Sequence, residues 1–422
     1  MRRVHQKDAG PQGLSRPGAP VVDVSEGALR AGDPLGVYVH FPFCSVRCPY
    51  CDFAVDTRAE IPHDAYADAV VAELAARARW FDGSGPLVSI YFGGGTPGLW
   101  RPDALGRVIT AARGTFGSPP AAELEITVEV NPGETDRARL SALRGEGVNR
   151  LSIGIQALED RLLSALGRNH DAAAGPAAVA AARAAGFDDV SIDLIFGVPG
   201  QSLDDWRRAV DAALALAPTH VSAYALTIER GTAFGARDRA GDLLRPDDEV
   251  VAAMFEHARA AFAAAGLPPY EVSSYARPGH RARHNQLYWS LAPYLGVGAS
   301  AASFRPLADG GGWRFSNPRA TDVYLTAARA GGGSPAARHV ELRTAADLEN
   351  EAVWLGLRTT DGLDRAAHQA RHGRDPLAGR ESDVAWAVAA GWLVVDEARV
   401  RLTPSGVLFA DEIAGRFWRD DA

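Results

Sequence analysis

Six short, mostly apolar runs, each followed by a loop and then by helical spacing, leave this chain few folds to choose from. The runs are Val37–Phe41, Val88–Phe92, Ile126–Val130, Leu151–Ile155, Val190–Phe196 and Val221–Leu226. Between them lie amphipathic stretches, among them Asp64–Trp80, Pro102–Ala112, Ala172–Ala185 and Leu203–Leu216. Ser202, ahead of Asp204 and Asp205, supplies the oxygen acceptor and the negative charge that a helix start favours. Near-continuous apolar strands that alternate with helices imply a parallel sheet. Six β/α units fit an α/β fold, a partial (β/α)6 TIM-like barrel whose chemistry sits at the C-terminal ends of the strands.

The loop after the first strand carries all 3 cysteines of the 422-residue chain: Cys44, Cys48 and Cys51, spaced C-x3-C-x2-C. A structural zinc site wants four closed ligands, and a disulfide framework wants an even count. Three thiolates in a tight loop suit a 4Fe–4S cluster in which one iron has no protein ligand and stays open to a substrate. A zinc site closed by His40 is the competing reading.

The later strand ends carry polar residues in order. The second is followed by Gly93, Gly94, Gly95 and Thr96, and consecutive glycines let backbone approach a ligand closely. The third ends at Glu129, a carboxylate able to accept hydrogen bonds from ribose hydroxyls. The fourth ends at Gln156, and Arg168 follows shortly after. Asp193 interrupts an apolar fifth strand, which is costly unless it is paired or faces a polar site. Each of these could serve a structural hydrogen bond or ion pair, but their recurrence behind the cysteine loop points to a cofactor pocket.

The cysteine spacing, with the aromatic Tyr50 just before Cys51, resembles the signature of the radical S-adenosylmethionine (SAM) superfamily. That resemblance implies that Cys44, Cys48 and Cys51 hold a 4Fe–4S cluster whose open iron chelates SAM. Reduction of the cluster then releases a 5′-deoxyadenosyl radical. It also implies a SAM pocket formed by Tyr38, Tyr50, Gly94, Gly95, Thr96, Glu129, Gln156, Arg168 and Asp193. In that pocket the glycine loop would hold the SAM amino group, Glu129 the ribose, and Arg168 the carboxylate.

Further motifs narrow the resemblance. YVHFPFC, GGGTP, EVNP, SIGIQ, LGRNH, DLIFGVPGQ, the run Tyr270–Ala276 and HNQLYW at 284–289 look like the coproporphyrinogen III oxidase-like family. Its dehydrogenase branch has a fourth cysteine two residues after the third, where this chain has Phe53. Its haem chaperone branch, HemW, reads Cys-Asp-Phe there and carries an H-N-x-x-Y-W motif, and this chain matches both. The resemblance therefore implies haem as cargo, with His284 as a candidate axial ligand and Tyr288 and Trp289 as flat apolar surface. It also implies a haem-acceptor protein and a flavodoxin- or ferredoxin-like electron donor. The alternative function is oxygen-independent decarboxylation of coproporphyrinogen III propionates to vinyl groups.

The net charge of −8 argues against nucleic acid as a partner, since phosphate binding wants a basic face. No apolar run of membrane-spanning length or secretory signal is visible, so contact with a membrane would be weak and through an acceptor. Few cysteines and an oxygen-sensitive site point to the cytoplasm. Residues 1–33, rich in Pro, Gly, Asp and Ser, read as a disordered tail ahead of a barrel core at 34–240. Residues 241–340 read as an extension that closes the barrel's open edge, with small residues at Gly296–Ala301. Residues 341–422 read as a small winged-helix-like α+β domain, with a helix over Asp347–Thr359 and a hairpin formed by Gly391–Val395 and Val400–Thr403.

Overall fold

The computed structural model describes residues 24–117, 119–120, 123–330 and 338–419. Its core is six parallel strands: β1 (Leu35–Phe41), β2 (Leu87–Gly94), β3 (Glu125–Val130), β4 (Arg150–Gln156), β5 (Asp189–Phe196) and β6 (His220–Ala225). Helices follow as the sequence predicts, including His63–Arg77, Pro102–Phe116, Ala174–Ala184 and Leu203–Ala215. Ser202 caps the last of these reciprocally with Asp205: the Asp205 N–H donates to Ser202 Oγ at 3.1 Å, and the Ser202 N–H to Asp205 Oδ2 at 2.7 Å.

The strands are less uniformly apolar than their sequence reading. Tyr38 stands opposite Tyr91, Tyr91 opposite Thr127, Thr127 opposite Arg150, and Arg150 opposite Asp189. Side chains alternate across a strand, so this register lines up one polar face across the sheet. The other face holds Val37, Ile90, Ile126, Leu151 and Val190, all buried in the main core. The polar row is the inner face, and its upper positions reach the functional loops.

The extension does not close the barrel. β7 (Ser274–Ala276) pairs antiparallel with β6, while β8 (Tyr294–Val297) pairs parallel with β1. β9 (Ala302–Pro306), β10 (Gly312–Ser316) and β11 (Arg338–Arg343) continue outward, giving one eleven-stranded sheet that runs from β11 to β7. Both edges are lengthened, and among the described residues the two ends are not joined. The tail expectation fails over residues 24–33: Val24 is buried, Leu29 bridges Leu307, and the Arg30 N–H donates to the Pro306 carbonyl. Residues 1–23 lie outside the described residues.

The helix Arg283–Trp289, which carries HNQLYW, sits at the N-terminal end of the inner face. Glu125 accepts hydrogen bonds from its first backbone groups, Arg283 N–H at 2.8 Å and His284 N–H at 3.3 Å, placing a carboxylate at the positive end of a helix. The C-terminal portion opens with a Thr344–Asp347 capping box on the helix Ala345–Leu357. Its own sheet pairs β12 (Leu363–Asp364), β13 (Leu393–Val395) and β14 (Arg399–Leu402) in the order β12-β14-β13. A separate cluster that includes Val353, Leu393, Val400, Ile413 and Phe417 forms its core. No helix among the described residues is long and apolar enough to cross a membrane.

Candidate cofactor site

Cys44, Cys48 and Cys51 are free and half-buried in the loop after β1. The loop is tied down at both ends, since the Cys44 N–H donates to the Asp56 carbonyl and the Asp56 N–H to Pro42. The glycine loop after β2 lies directly against it. Gly95 N–H donates to the Phe41 carbonyl at 2.7 Å and Thr96 N–H to Phe43 at 2.8 Å. A Cβ at Gly95 would meet the Phe43 and Pro42 backbone at 2.7–2.8 Å, so only glycine permits this approach.

One residue joins the two loops. Asn131, just past β3, accepts a 2.6 Å hydrogen bond from Arg168 Nη2 and donates at 3.0 Å to Thr96 Oγ1. The Thr96 hydroxyl, already an acceptor there, has its proton left for Cys44 Sγ at 3.4 Å. Arg168 Nη1 reaches Cys48 Sγ at 3.5 Å. Two of the three sulfurs thus face hydrogen-bond donors, which favour the thiolate against the burial that pushes the Cys44 thiol up to about 11. Such donors also tune an iron–sulfur cluster. Among the described residues no three His, Cys, Asp or Glu side chains gather as a single-metal site requires. A cluster does not require it, because each thiolate takes its own iron. Arg168 also keeps its Nε buried with no partner, the property of a cation awaiting an anionic group. The residues present fit a cluster with SAM beside it.

Around this centre the strand-end residues converge in part. Glu129 Oε1 accepts from the Tyr91 hydroxyl at 2.7 Å and Oε2 from the Gly94 N–H at 3.2 Å. Burial, together with the negative charge of Asp193, pushes the Glu129 carboxyl up to about 7. Asp193 accepts from Ser152 Oγ at 2.9 Å, and burial raises its pKa too. Gln156 ends β4 with φ of 66°, a left-handed backbone that a side-chain-bearing residue adopts at a cost and that clusters at functional sites. Tyr38 lies on the same inner face, its hydroxyl 3.0 Å from His40 Nδ1. Tyr50 packs near Phe234, with ring centroids 6.3 Å apart.

Three participants were missed in the sequence: Asn131, Tyr91 and Ser152. Strand-end position alone would have flagged Asn131, next after Val130. Tyr91 and Ser152 follow only once the two-residue alternation of the inner face is recognised.

His284 is not part of this centre. It is 1% exposed, with Nδ1 2.8 Å from Ser89 Oγ and Nε2 2.8 Å from the Tyr288 hydroxyl. Its ring stacks on Tyr91 with centroids 5.2 Å apart, and burial drives its pKa down to about 3. Both ring nitrogens are engaged inside the fold, so ligation of a haem iron would require breaking one of these bonds. In this arrangement His284 is a structural histidine.

A family model described as the radical SAM superfamily matches residues 38–213, and one for the HemN C-terminal domain matches residues 344–409. The haem chaperone HemW of Mycobacterium tuberculosis is 38% identical over 92% of this chain and 95% of its own. The chain belongs to the HemW family of radical SAM proteins. The relation extends beyond bacteria: the mitochondrial radical SAM domain-containing protein 1 of Bos taurus is 34% identical over 89% of this chain and 86% of its own. Among solved structures, the Escherichia coli coproporphyrinogen III oxidase HemN aligns with a TM-score of 0.77. It covers 92% of this chain and 90% of its own, at 26% identity. This HemW-family chain thus shares its whole architecture with a relative described as an enzyme. Phe53, two residues past Cys51, is 65% exposed beside the cysteine loop.

Proposed function

We propose that this protein binds haem and passes it to an acceptor protein, and that its cysteine loop holds a 4Fe–4S cluster with SAM as partner. The observation that carries the reading is near-full-length similarity to proteins named as haem chaperones, joined to Phe53 two residues after Cys51. Cys44, Cys48 and Cys51 would hold the cluster. Arg168 would pair with the SAM carboxylate, the backbone of Gly94 and Gly95 would meet its amino group, and Glu129 its ribose. Tyr38, Tyr50, Thr96, Gln156 and Asp193 would complete the pocket. When bound, the pair supplies reductive cleavage of SAM. This chain's own contribution is to hold both thiolates and ligand in place and to keep them partly shielded from water. A flavodoxin- or ferredoxin-like donor would reduce the cluster in the cytoplasm, and any membrane contact would come through the acceptor.

Similarity to HemN keeps decarboxylation of coproporphyrinogen III as the second reading. One experiment separates the two: anaerobic reconstitution, then haem titration and a coproporphyrinogen turnover assay on the same sample. Stoichiometric haem with no vinyl product supports the chaperone. Turnover to a vinyl-bearing porphyrinogen, with a strong reductant and SAM present, overturns it.

A further inference from the structure

The HNQLYW helix has two sides. One side buries His284 against the inner face of the barrel. The other forms a wall of a cleft of about 650 Å³ between the barrel base and the C-terminal domain, well within the roughly 300–1,000 Å³ of small-molecule sites. The cleft lies at the strand starts, since His284 abuts Ser89 and Gly36 near the beginnings of β2 and β1. The cluster loop lies at the opposite ends of those strands.

The chemistry of the cleft is uneven in a way that suits one kind of ligand. Leu287, Trp289 and Leu291 give it an apolar wall, and flat aromatic and aliphatic surface is what a porphyrin plane packs against. Arg281, Arg283 and Arg371 stand around the lining with Asp361 and Asp364. Arg283 also donates to the Glu123 carbonyl and Arg371 lies 3.5 Å from Asp33, so a ligand carboxylate would share guanidinium groups already in place. Arg281 is engaged by Asp361 at 2.5 Å, and Arg371 donates to the Ser290 carbonyl at 2.6 Å, so both guanidinium groups are held at the lining. From the C-terminal domain, the helix Arg365–His372 contributes two histidines, with ring centroids 4.6 Å apart. His368 Nε2 is 3.3 Å from Glu349. His372 Nε2 is buried and has no hydrogen-bond partner. The Trp289 indole N–H, also buried, likewise has none.

We propose that this cleft is the haem site and that His372, on the C-terminal domain, is the axial ligand to the iron. The arginines at the lining would take the propionates, and Trp289 and Leu287 the ring face. The proposal rests on the haem reading above and adds its location. It places the cargo at the end of the barrel away from the cluster, held between two domains, so that movement of the C-terminal domain would open it.

The test uses the full-length, cluster-reconstituted protein titrated with hemin, followed by the Soret band and by the spin state in electron paramagnetic resonance. His372→Ala should shift the Soret band and weaken binding by about tenfold or more, as loss of a coordinate bond does. Added imidazole should restore the spectrum. Ala367→Trp, which fills the cleft without touching the ligand, should lower occupancy while leaving cluster content unchanged. If the wild type binds hemin and both variants match it in spectrum and affinity, this site is wrong and the chaperone reading stands. If the wild type binds no hemin, the chaperone reading itself falls and the site with it.

Discussion

The Tyr91 hydroxyl donates a 2.7 Å hydrogen bond to Glu129 Oε1 while its ring lies on His284, joining the proposed ribose acceptor to the base of the barrel. A buried donor fixed by stacking holds the carboxylate oxygen at a defined position. Tyr91→Phe removes that donor and keeps the ring. SAM affinity measured by calorimetry should fall by about 0.5–1.5 kcal/mol, the net worth of one hydrogen bond. The stack remains, but the buried Glu129 Oε1 loses its donor, so stability should also fall, by about 1–3 kcal/mol. Unchanged affinity would show that Tyr91 does not orient Glu129 for ligand.

Glu129 should also make SAM binding depend on pH. Its pKa of about 7 lies above the ordinary 4.5 because burial and Asp193 disfavour the charge. A carboxyl raised in the folded state binds its proton more tightly than in the unfolded chain. It therefore stabilises the fold below about 4.5, and that contribution is lost as pH rises through about 7. The ionised form is the stronger acceptor for ligand hydroxyls, so SAM affinity should rise as pH passes from 6 to 8, about one unit either side of this pKa. Glu129→Gln should flatten the dependence. A wild-type profile already flat across this range would remove Glu129 from the ligand's contacts.

Much of this centre was legible because its chemistry is written in rare residue types at strand ends. Three cysteines in one loop admit few uses, and an aspartate inside Val190–Phe196 is too costly to be idle. The inner face was harder. In β3, β4 and β5 polar and apolar residues alternate, but Thr127, Ser152 and Ser191 are small enough for the runs to pass as apolar. Tyr91 was overlooked for the same reason. The extension misled for a different cause: small residues at Gly296–Ala301 fit a tight packing, but no local pattern says which edge β8 will pair with. Register between distant strands is decided by tertiary packing. His284 was read from its motif, while its burial beneath Tyr91 and Tyr288 depends on a helix inserted from far along the chain.

Asn131 holds the two loops together, so its removal should be felt at both. Asn131→Ala removes the partner that Arg168 Nη2 and Thr96 Oγ1 share. Arg168 keeps the Gly154 carbonyl at 3.2 Å and Thr96 keeps Cys44 Sγ at 3.4 Å, so the cost is about 0.5–1.5 kcal/mol per lost hydrogen bond. Arg168→Ala removes the charge itself and should weaken SAM binding by about 1.5–3 kcal/mol. Asn131→Ala should lose part of that affinity while keeping full iron content by chemical assay. Iron content collapsing in Asn131→Ala would instead make it a support for the cysteine loop rather than for the ligand.

Glu349 is the anchor of the C-terminal domain. Its buried carboxylate meets Arg380 at 2.8 Å and 3.1 Å, Arg419 at 3.0 Å, Arg374 at 3.2 Å and His368 at 3.3 Å. Burial opposes its charge, but hydrogen bonds from His368 and Arg380 win and hold it well below the usual carboxylate range. A depressed carboxyl gives stability above its ordinary value and loses it as pH falls below. Glu349→Ala should cost about 3–5 kcal/mol, because it strands buried cations. Denaturant unfolding of wild type and variant should therefore converge as the solution is acidified.

His284→Ala separates support of the fold from ligation of haem. Replacing His284 with alanine orphans the Ser89 hydroxyl and the Tyr288 hydroxyl, both bonded to its ring at 2.8 Å. Each orphaned group costs about 1–3 kcal/mol, so the variant should be clearly less stable than wild type. The helix it anchors also walls the cleft through Leu287 and Trp289, so haem affinity should weaken modestly. The iron's spectrum is the decisive readout, because it depends on which atoms touch the metal. With His372 as ligand, the His284→Ala protein that does bind haem keeps the wild-type Soret position and spin state. A shifted spectrum that added imidazole returns to normal would make His284 the ligand, with its ring swung away from Ser89 and Tyr288.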